Sequence, residues 1–377
     1  MNKIVFVNAT AATEGGALTI LKQFLEGIPE YSNKDELYYL FCSSEELKTY
    51  ERENIKIINN IKEKNWLDRI KWDLYELKNW SKKNNIKADI IISFQNTGVR
   101  YCKNIKQIIY LHQPIPFAVN INWKFFCKNE RLLWFYKNIY KKLIRLTLKS
   151  NSYIVVQTEW MKNAVMEQFN WSSKKISVIK PNIKNIAVEK ISKINFNNNE
   201  FHLFYPANSA VYKNHELIIN AIKYIKDNKP EIYSNIILHF TLEGTLNNSR
   251  SALLVNLIKD LQVDEQIKYE GKIPYERVLS FYKSCDLMLF PSYIETFGLP
   301  LIEAASFGMP ILAAEADYAR EVMGDYEGVK FLDHKDSKLW AENIIDVYNK
   351  RIKYTPYNIH YETSWKDFFG LIEKLIV

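Results

Sequence analysis

The sequence predicts an α/β protein made of two doubly wound parallel sheets, one after the other along the chain. Short runs of β-branched and aromatic residues alternate with longer stretches of helical periodicity, which is typical of parallel βαβ construction. The length of 377 residues suits two domains of ordinary size. A polar, Asn-rich stretch at 183–200 has no clear periodicity. We therefore expect a first domain over 1–182, a linker over 183–200 and a second domain over 201–359.

Each domain has its own series of predicted elements. Strands of the first domain are expected at 3–9, 36–43, 88–94, 107–112, 152–158 and 176–181. Strands of the second are expected at 201–207, 235–243, 267–271, 287–292 and 310–315, with helices in the chain at 18–25, 216–225, 252–261 and 341–350. Apolar residues at helical spacing predict a last helix within about 360–377, and we expect it to pack back onto the first domain.

The composition limits the class of protein. With 47% hydrophobic and 25% charged residues, the chain is neither disordered nor fibrous. The apolar run after Met1 is too short for a signal peptide, and no run approaches the roughly 20 residues that span a bilayer. The four cysteines show no Cys-x-x-Cys spacing, so we expect reduced thiols, no zinc site and a cytoplasmic protein.

The segment from Phe290 to Glu303 carries the most chemical information. It reads Phe-Pro-Ser-Tyr-Ile-Glu-Thr-Phe-Gly-Leu-Pro-Leu-Ile-Glu, a strand end and a loop followed by a helix that begins near Pro300. The N-terminus of a helix offers unpaired backbone N–H groups and a positive dipole, which suit a diphosphate. Glu295 and Glu303 would repel phosphate, so we expect them to accept hydrogen bonds from hydroxyl groups. A nucleotide-sugar has hydroxyls on both sides of its diphosphate.

These residues resemble the retaining glycosyltransferases of family 4, which have the GT-B fold. The Glu-x7-Glu spacing of Glu295 and Glu303 matches, as does most of the surrounding string. The resemblance implies two facing Rossmann-like domains with the donor and acceptor cleft between them. It also implies that Glu295 contacts the transferred sugar and Glu303 the ribose. The backbone amides of Phe297, Gly298 and Leu299 would hold the distal phosphate.

Further segments match the family in order along the chain. Gly15 and Gly16 follow the first strand, in Glu14-Gly15-Gly16-Ala17, where the family has a glycine-rich loop near the donor phosphate. His112 ends a strand, and the resemblance implies that it meets the sugar near the anomeric carbon. Apart from the family, a lone histidine is more often structural. We place Asn96 and Gln113 on the acceptor side.

The second domain holds the remaining donor residues implied by the resemblance. Lys213, in Tyr-Lys-Asn-His, corresponds to the family's phosphate-binding lysine and would assist the diphosphate leaving group. The arginine that the family commonly has five positions earlier is Asn208 here, and Lys180 or a first-domain residue could replace it. Glu243 ends a strand beside a donor loop, and Ile273 lies in the loop that contacts the base.

No Asp-x-Asp triplet occurs in the sequence, and metal-dependent glycosyltransferases use such a triplet to hold a cation. We therefore expect neither an obligatory metal nor a cofactor, with Lys213 and the helix N-terminus neutralising the diphosphate. The favoured mechanism retains the anomeric configuration, with the departing phosphate oxygen helping to remove the acceptor proton.

Positive charge is concentrated in the first half of the chain. Residues 1–182 hold 29 Lys/Arg and 17 Asp/Glu, whereas the remainder holds 22 and 26. Residues 101–150 combine ten Lys/Arg with ten aromatic residues and one acidic residue. One helical stripe there contains apolar side chains, namely Leu132, Tyr136, Ile139, Leu143 and Leu146, with Lys137, Lys141, Lys142 and Arg145 elsewhere. Either the helix lies on an anionic membrane, or the stripe is an ordinary core face.

These observations predict one function and leave two alternative functions open. The predicted enzyme moves a sugar from a UDP- or GDP-sugar onto a saccharide acceptor, which we expect to be lipid-linked, in surface polysaccharide synthesis such as O-antigen or capsule. Peripheral attachment to the inner face of the cell membrane would go with that acceptor. No nucleic-acid motif accompanies the charge. The alternatives are a nucleotide-sugar epimerase and a weakly catalytic binding subunit, the latter supported by Asn208.

Overall fold

The structure is a computed structural model that describes residues 2–13, 15–59, 66–183, 186–244, 249–357 and 365–376. The chain divides into two compact units. The first comprises Met1–Phe126, Arg131–Asn182 and Tyr361–Val377, and the second comprises Cys127–Glu130 and Ile183–His360. Each unit contains one wholly parallel sheet flanked by helices, so the predicted fold class of two doubly wound α/β domains is confirmed.

The sheet of the first unit has seven strands in the order β3-β2-β1-β4-β5-β6-β7. The strands are β1 Lys3–Asn8, β2 Glu36–Phe41, β3 Ile55–Ile58, β4 Ile90–Ser93, β5 Lys106–Tyr110, β6 Ser152–Val156 and β7 Ile176–Val178. Central strands such as β4, which has three Ile residues followed by Ser93, are buried on both faces, as expected where helices cover a parallel sheet on both sides.

Two of the helical segments in the first unit contain a π turn. The α-helices are α1 Gly15–Tyr31, α2 Trp66–Lys71, α3 Leu77–Lys83, α4 Arg131–Phe135, α5 Lys141–Thr147 and α6 Glu159–Phe169. A π turn, Trp72–Glu76, joins α2 to α3, and a second one, Tyr136–Tyr140, joins α4 to α5. Both composite helices are therefore continuous but change period in the middle.

The sheet of the second unit has six strands in the order β10-β9-β8-β11-β12-β13. The strands are β8 Phe201–Tyr205, β9 Ile236–Phe240, β10 Ile267–Tyr269, β11 Leu287–Phe290, β12 Ile311–Ala314 and β13 Val329–Leu332. The helices around it are α7 His215–Asn228, α8 Pro230–Tyr233, α9 Ser249–Asp260, α10 Tyr275–Ser284, α11 Leu299–Ala305, α12 Asp317–Met323 and α13 Ser337–Lys350.

The last helix, α14 Trp365–Leu375, packs against α1 within the first unit. The rings of Phe24 and Phe369 stack with centroids 5.3 Å apart, and the Trp365 indole N–H donates to Gln23 at 3.2 Å. Gly27 permits this close approach, because a Cβ at that position would lie 2.9 Å from Phe369. The C-terminal aromatic residues thus complete the core beneath β1 and β2.

The structure adds two strands that the sequence pattern did not predict, β3 and β13. Both lie at a sheet edge and have only four residues. Each is interrupted by a solvent-exposed lysine, Lys56 or Lys330, so neither shows the continuous apolar run of the central strands. The predicted linker region also has definite contacts, since the Lys283 ammonium group donates to the carbonyls of Val188 and Ile191 at 2.7 and 2.6 Å.

The stripe on the 131–147 helix is not a core face, so that interpretation was wrong. Leu132 and Leu146 are 61% and 67% exposed, and Ile139 is also exposed. The residues that the helix buries are Leu133 and Ile144. The π turn between α4 and α5 explains the difference, because it shifts the helical period that the stripe assumed to be constant. In the described part of the chain, no helix is both long and apolar enough to cross a membrane.

Candidate functional site

In both sheets the strand order reverses next to the first strand of the unit. The reversal lies between β1 and β4 in the first sheet and between β8 and β11 in the second. In open α/β sheets, ligands bind beyond the carboxyl ends of the strands at such switch points. The predicted site residues follow the carboxyl ends of β1, β4 and β5 in the first unit, and of β8, β9, β10 and β11 in the second. In each unit, the carboxyl ends of the strands are therefore the candidate position for a bound ligand.

The centre of the second unit's edge is an ion pair between Lys213 and Glu295. The two side chains are only 15% and 17% exposed, so the pair is largely shielded from water. The Ser292 hydroxyl donates to the same oxygen of Glu295 at 2.6 Å, and the Tyr205 hydroxyl donates to the Lys213 carbonyl at 2.6 Å. These contacts fix a carboxylate and an ammonium group in one place, although they lie 82 residues apart.

The loop after β11 prepares the start of α11. Gly298 has φ +93°, a conformation that glycine adopts without strain, and α11 begins at the next residue with Pro300 in its first turn. Phe297 is buried, and Tyr318 holds the loop by donating to the Ser292 carbonyl at 2.5 Å. The first N–H groups of a helix have no intrahelical partner, so Gly298 and Leu299 present backbone donors at this edge.

Glu303 projects from α11 between two tyrosines of α10. The hydroxyl of Tyr275 donates to one carboxylate oxygen at 3.0 Å, and that of Tyr282 donates to the other at 3.2 Å. Burial raises the pKa of Glu303, and the two tyrosine hydrogen bonds partly oppose that rise. The carboxylate is thus held in a fixed orientation and can still accept a hydrogen bond from a hydroxyl group.

The other predicted residues of the second unit surround this centre less closely. Asn208 is exposed, and its side chain accepts the Ala210 N–H at 3.1 Å. Glu243 is exposed after β9, and Ile273 is half-buried before α10. An arginine not identified from the sequence lies beside Asn208: the Arg250 side chain donates to the Ser209 carbonyl at 3.3 Å. It also pairs with Glu216 at the start of α7.

In the first unit, Asn96 organises the end of β5. Its side-chain oxygen accepts the N–H groups of His112 and Gln113 at 2.7 and 3.0 Å. Asn96 has φ +63°, a left-handed conformation that asparagine tolerates better than most residues. Because the oxygen already accepts two backbone donors, the Asn96 amide N–H faces His112 Nε2 at 3.4 Å. The ring proton then lies on Nδ1, which has no hydrogen-bond partner among the described residues.

The environment of His112 keeps it neutral. Burial lowers the pKa of its imidazole to about 4, so the ring carries no charge at neutral pH.

Gly15 and Gly16, at the start of α1, are exposed, and a Cβ at either position would meet nothing within 4 Å. Glu14 of the same motif lies outside the described residues. Among the described residues, no group of three or more His, Cys, Asp or Glu side chains could hold a metal ion.

The comparison with protein families concerns the second unit. Residues 188–359 match the family described as Glycosyl transferases group 1. This matched stretch, called the group 1 domain below, is slightly less than half of the chain. The domain contains every predicted donor residue except Gly15 and Gly16.

Two related proteins align with part of the chain. D-inositol 3-phosphate glycosyltransferase of Paenarthrobacter aurescens is 22% identical over 149 residues, 40% of this chain and 36% of that protein. O-antigen chain mannosyltransferase RfbU of Salmonella typhimurium is 21% identical over 212 residues, 56% of this chain and 55% of that protein. The chain therefore aligns with about a third to a half of the length of these relatives.

Solved structures resemble nearly the whole chain. WaaG, a glycosyltransferase involved in lipopolysaccharide biosynthesis, has a TM-score of 0.64 at 12% identity and covers 92% of this chain and 90% of its own. HepE of Anabaena, in complex with UDP and glucose, has a TM-score of 0.63 at 14% identity and covers 93% of this chain and 91% of its own. These likenesses agree with the predicted fold class of two Rossmann-like domains of the GT-B type.

Several residues of the group 1 domain's site were not predicted. Tyr275 and Tyr282 contact Glu303, and Ser292 contacts Glu295. Ser292 could have been found, because it stands three residues before Glu295 on the same loop. Arg250 had no signal, since α9 follows Asn208 by some 40 residues and meets it only in the fold.

Proposed function

We propose that this chain is a retaining glycosyltransferase that moves a sugar from a UDP- or GDP-sugar to a saccharide acceptor. The observation that carries the proposal is the arrangement at the edge of the second sheet. There, the Lys213–Glu295 pair lies beside the start of α11, which also bears Glu303. A cation with backbone donors suits a diphosphate, and the two carboxylates suit hydroxyl groups on either side of it.

Each donor group would have its own partners in this domain. The diphosphate is bound by Lys213 and the backbone N–H groups of Gly298 and Leu299. Arg250, which contacts the Ser209 carbonyl and Glu216, supplies positive charge near Asn208 in place of a cation at that position. The ribose hydroxyls donate to Glu303, and the base lies against Ile273. Glu295 accepts hydrogen bonds from the transferred sugar.

The proposed reaction forms one bond at the anomeric carbon and breaks another on the same face of the sugar. The acceptor oxygen bonds to the anomeric carbon as its bond to the phosphate oxygen breaks. The acceptor proton passes to the departing phosphate oxygen, and Lys213 stabilises the charge that develops there. His112, with its backbone fixed by Asn96 and its ring kept neutral by burial, would contribute through its carbonyl or ring near the anomeric carbon. Neither a metal nor a cofactor takes part.

The acceptor and the cellular setting follow from the relatives. The names of an O-antigen mannosyltransferase and of a lipopolysaccharide glycosyltransferase support a role in bacterial surface polysaccharide synthesis. We therefore propose a lipid-linked saccharide acceptor and a cytoplasmic enzyme at the inner face of the cell membrane. Gly15, Gly16, Asn96 and Gln113 of the first unit would take part in binding phosphate and acceptor.

A surface on the first unit supports membrane attachment. Its apolar members are Leu132 and Ile139, together with Phe126, which is 92% exposed. The exposed cations Lys142 and Arg145 lie on the same helix. Exposed apolar side chains next to cations are the composition that binds anionic bilayers.

The donor proposal is tested by thermal unfolding with UDP, GDP, CMP and their sugar conjugates, with and without EDTA. A ligand that binds only the folded state raises the unfolding temperature according to its concentration over Kd. We expect a shift with one nucleotide class that EDTA leaves unchanged, followed by transfer of a radiolabelled sugar to a lipid-linked oligosaccharide fraction. A shift of the unfolding temperature without any sugar transfer would indicate a subunit that binds the nucleotide but does not catalyse transfer. No shift with any nucleotide would contradict the donor site.

Membrane attachment is tested separately by flotation with vesicles containing anionic lipid. The variant Leu132→Gln/Ile139→Gln/Lys142→Gln/Arg145→Gln should float less than the wild type. Lys34→Gln/Lys82→Gln, which changes two exposed lysines elsewhere on the unit, should float normally. Lys137 is left unchanged because its ammonium group donates to Asn122 at 3.1 Å and so supports the fold. Equal flotation of all three proteins would contradict membrane binding through this surface.

A further inference from the structure

The first unit contains a groove of about 1360 Å³ whose cationic side chains have no role in the proposed donor chemistry. Its walls are the 66–83 helix, the loop between β4 and β5, and the 131–147 helix with the segment that follows it. Both π turns of the unit contribute, through Asp73 on one side and Tyr136 and Tyr140 on the other. Such turns often occur at functional sites. Two of them on one groove indicate a binding site.

The charge of the groove is strongly one-sided. Six cations are among the described residues that line it: Arg69, Lys78, Lys87, Arg100, Lys103 and Lys149. Within the described chain, the last five have no carboxylate at ion-pair distance. The carboxylate that shares the groove, Asp73, accepts hydrogen bonds from Asn8 at 2.9 Å and Thr97 at 2.7 Å. Like charges brought together without partners repel each other, so the folded groove favours an anionic ligand.

Three of these cations come from two segments that the fold ties together. Arg100 and Lys103 lie on the β4–β5 loop, and Lys149 follows α5. The Gly98 N–H donates to the Thr147 hydroxyl at 2.9 Å. A Cβ at Gly98 would come within 2.8 Å of the Thr147 carbonyl, so only glycine allows this contact. The three cations are thus held on neighbouring segments of the groove wall.

The groove also has an apolar wall. Leu143 and Leu146 of the 131–147 helix line it, as do Ile70 and Leu74 of the 66–83 helix. Leu146 is 67% exposed, an unfavourable position for a leucine unless another apolar group covers it. A neutral sugar would account for neither the cations nor this wall, whereas a phosphate attached to a hydrocarbon chain accounts for both.

We infer that this groove binds the phosphate group of the acceptor, with Arg100, Lys103 and Lys149 around the phosphate and an attached hydrocarbon chain along Leu143 and Leu146. The inference rests on the proposed function and specifies its acceptor as an anionic phosphate compound. Asn96 and His112 line the same groove, so the phosphate side of the acceptor and the predicted acceptor residues share one cavity.

Calorimetric titration of the full chain with three probes tests the inference. The probes are dodecyl phosphate below its micelle concentration, dodecyl maltoside with the same chain and a neutral head, and glucose 1-phosphate with a phosphate and no chain. Dodecyl phosphate should bind roughly tenfold more tightly than either of the others. Equal binding of dodecyl phosphate and dodecyl maltoside would overturn the inference. Glucose 1-phosphate binding as tightly as dodecyl phosphate would keep the phosphate site and make its source a soluble sugar phosphate.

Variants locate the site. Arg100→Gln/Lys103→Gln/Lys149→Gln should weaken dodecyl phosphate binding by roughly tenfold or more. Lys34→Gln/Lys82→Gln/Lys83→Gln removes the same net charge from exposed positions outside the groove and should leave binding unchanged. Leu146→Gln, at an exposed position, should weaken dodecyl phosphate but not glucose 1-phosphate. Equal losses in the two triple variants would overturn the assignment.

The nucleotide-dependent thermal shift in the same preparations separates this inference from the proposed function. A preserved nucleotide shift without phosphate binding in the groove would overturn the inference alone. Groove-dependent phosphate binding without any nucleotide shift would overturn the donor site and support the groove.

Discussion

The side-chain oxygen of Asn96 accepts the backbone N–H of His112 at 2.7 Å, so a residue in a left-handed conformation after β4 fixes the residue that ends β5. The same oxygen accepts the N–H of Gln113 at 3.0 Å. One side chain therefore satisfies two backbone donors and leaves its amide N–H towards the His112 ring. The position of His112 therefore depends on Asn96 as well as on its own strand.

Replacement of Asn96 tests this dependence. Asn96→Gly keeps the left-handed backbone and removes the acceptor, whereas Asn96→Ala removes the acceptor and adds strain. We expect Asn96→Gly to lower the free energy of unfolding by about 1–3 kcal/mol, the cost of leaving buried donors unpaired. Asn96→Ala should cost about 1 kcal/mol more. Both are measured by urea unfolding, and equal stability of the two variants would exclude the strain contribution.

The ion pair between Lys213 and Glu295 leads to opposite predictions for its two members. Glu295→Gln should reduce sugar transfer by about 100-fold, because the contact to the transferred sugar weakens. It should not reduce nucleotide affinity, since Lys213 is then free of its carboxylate partner. Lys213→Gln should reduce both transfer and nucleotide affinity. Transfer assays and thermal shifts with the nucleotide measure the two effects.

Glu327→Gln supplies the control for that pair of variants. Glu327 is exposed on the loop before β13, and the same chemical change there should alter neither quantity. Wild-type transfer by Glu295→Gln would remove Glu295 from the proposed sugar site. A loss of nucleotide affinity in Glu295→Gln as large as that in Lys213→Gln would show that the carboxylate holds the lysine in position.

The two tyrosines on Glu303 predict a pH dependence of nucleotide binding. Burial raises the pKa of Glu303, and the hydrogen bonds from Tyr275 and Tyr282 lower it. Tyr282→Phe removes one of these hydrogen bonds, so the pKa of Glu303 should rise further. The ionised carboxylate is the form that accepts two ribose hydroxyls, and it is lost as the pH falls through that pKa. Nucleotide affinity of Tyr282→Phe should therefore fall at a higher pH than that of the wild type.

Titration calorimetry at a series of pH values measures this difference. Tyr348→Phe is the matched control, because its ring packs on Phe201, distant from Glu303 in the sequence and on a different helix. Identical pH profiles for the wild type and Tyr282→Phe would contradict a role for ionised Glu303 in nucleotide binding.

The sequence predicted most strands because their physical signal is local. A strand such as β4 is buried on both faces, so each of its residues is apolar or small. Such a strand can be recognised from its own sequence, without knowledge of the strands it pairs with. The edge strands β3 and β13 gain their conformation from pairing with β2 and β12, and their exposed lysines conceal it. The loop and helix start that carry Glu295 and Glu303 were likewise predictable, because Gly298 and Pro300 encode the start of the helix within one short segment.

Contacts between distant segments could not be predicted in this way. Arg250 meets Ser209, and Tyr282 meets Glu303, only after separate helices have packed on the sheet. The 131–147 helix illustrates a different limit. Its sequence has a plausible apolar stripe at a constant period, but the π turn within it brings Leu133 and Ile144 to the core instead. A period read from sequence assumes a regular helix, whereas the two helices that line the groove each contain a π turn.

His215 predicts how stability depends on pH. Its ring is buried at the start of α7, with centroids 4.7 Å from Tyr205 and 5.1 Å from Phe240. Burial, with the nearby charges of Lys213 and Arg250, lowers the pKa of His215 to about 3. An unfolded histidine has a pKa of about 6.5, so below that pH the unfolded chain binds a proton that the folded chain does not. This favours unfolding, and stability is lost as the pH falls below about 6.5.

His215→Phe removes this proton and keeps an aromatic ring between the two neighbours. At pH 5 the His215 contribution amounts to about 2 kcal/mol, and it vanishes near pH 7.5. The free energy of unfolding of the variant should therefore fall less between pH 7.5 and pH 5 than that of the wild type. His202 and His239, whose pKa values burial also lowers, keep some pH dependence in both proteins. Urea unfolding across this range measures the two slopes, and any constant effect of the substitution cancels in the comparison. Equal slopes would mean that His215 gains a proton in the folded state as easily as in the unfolded one.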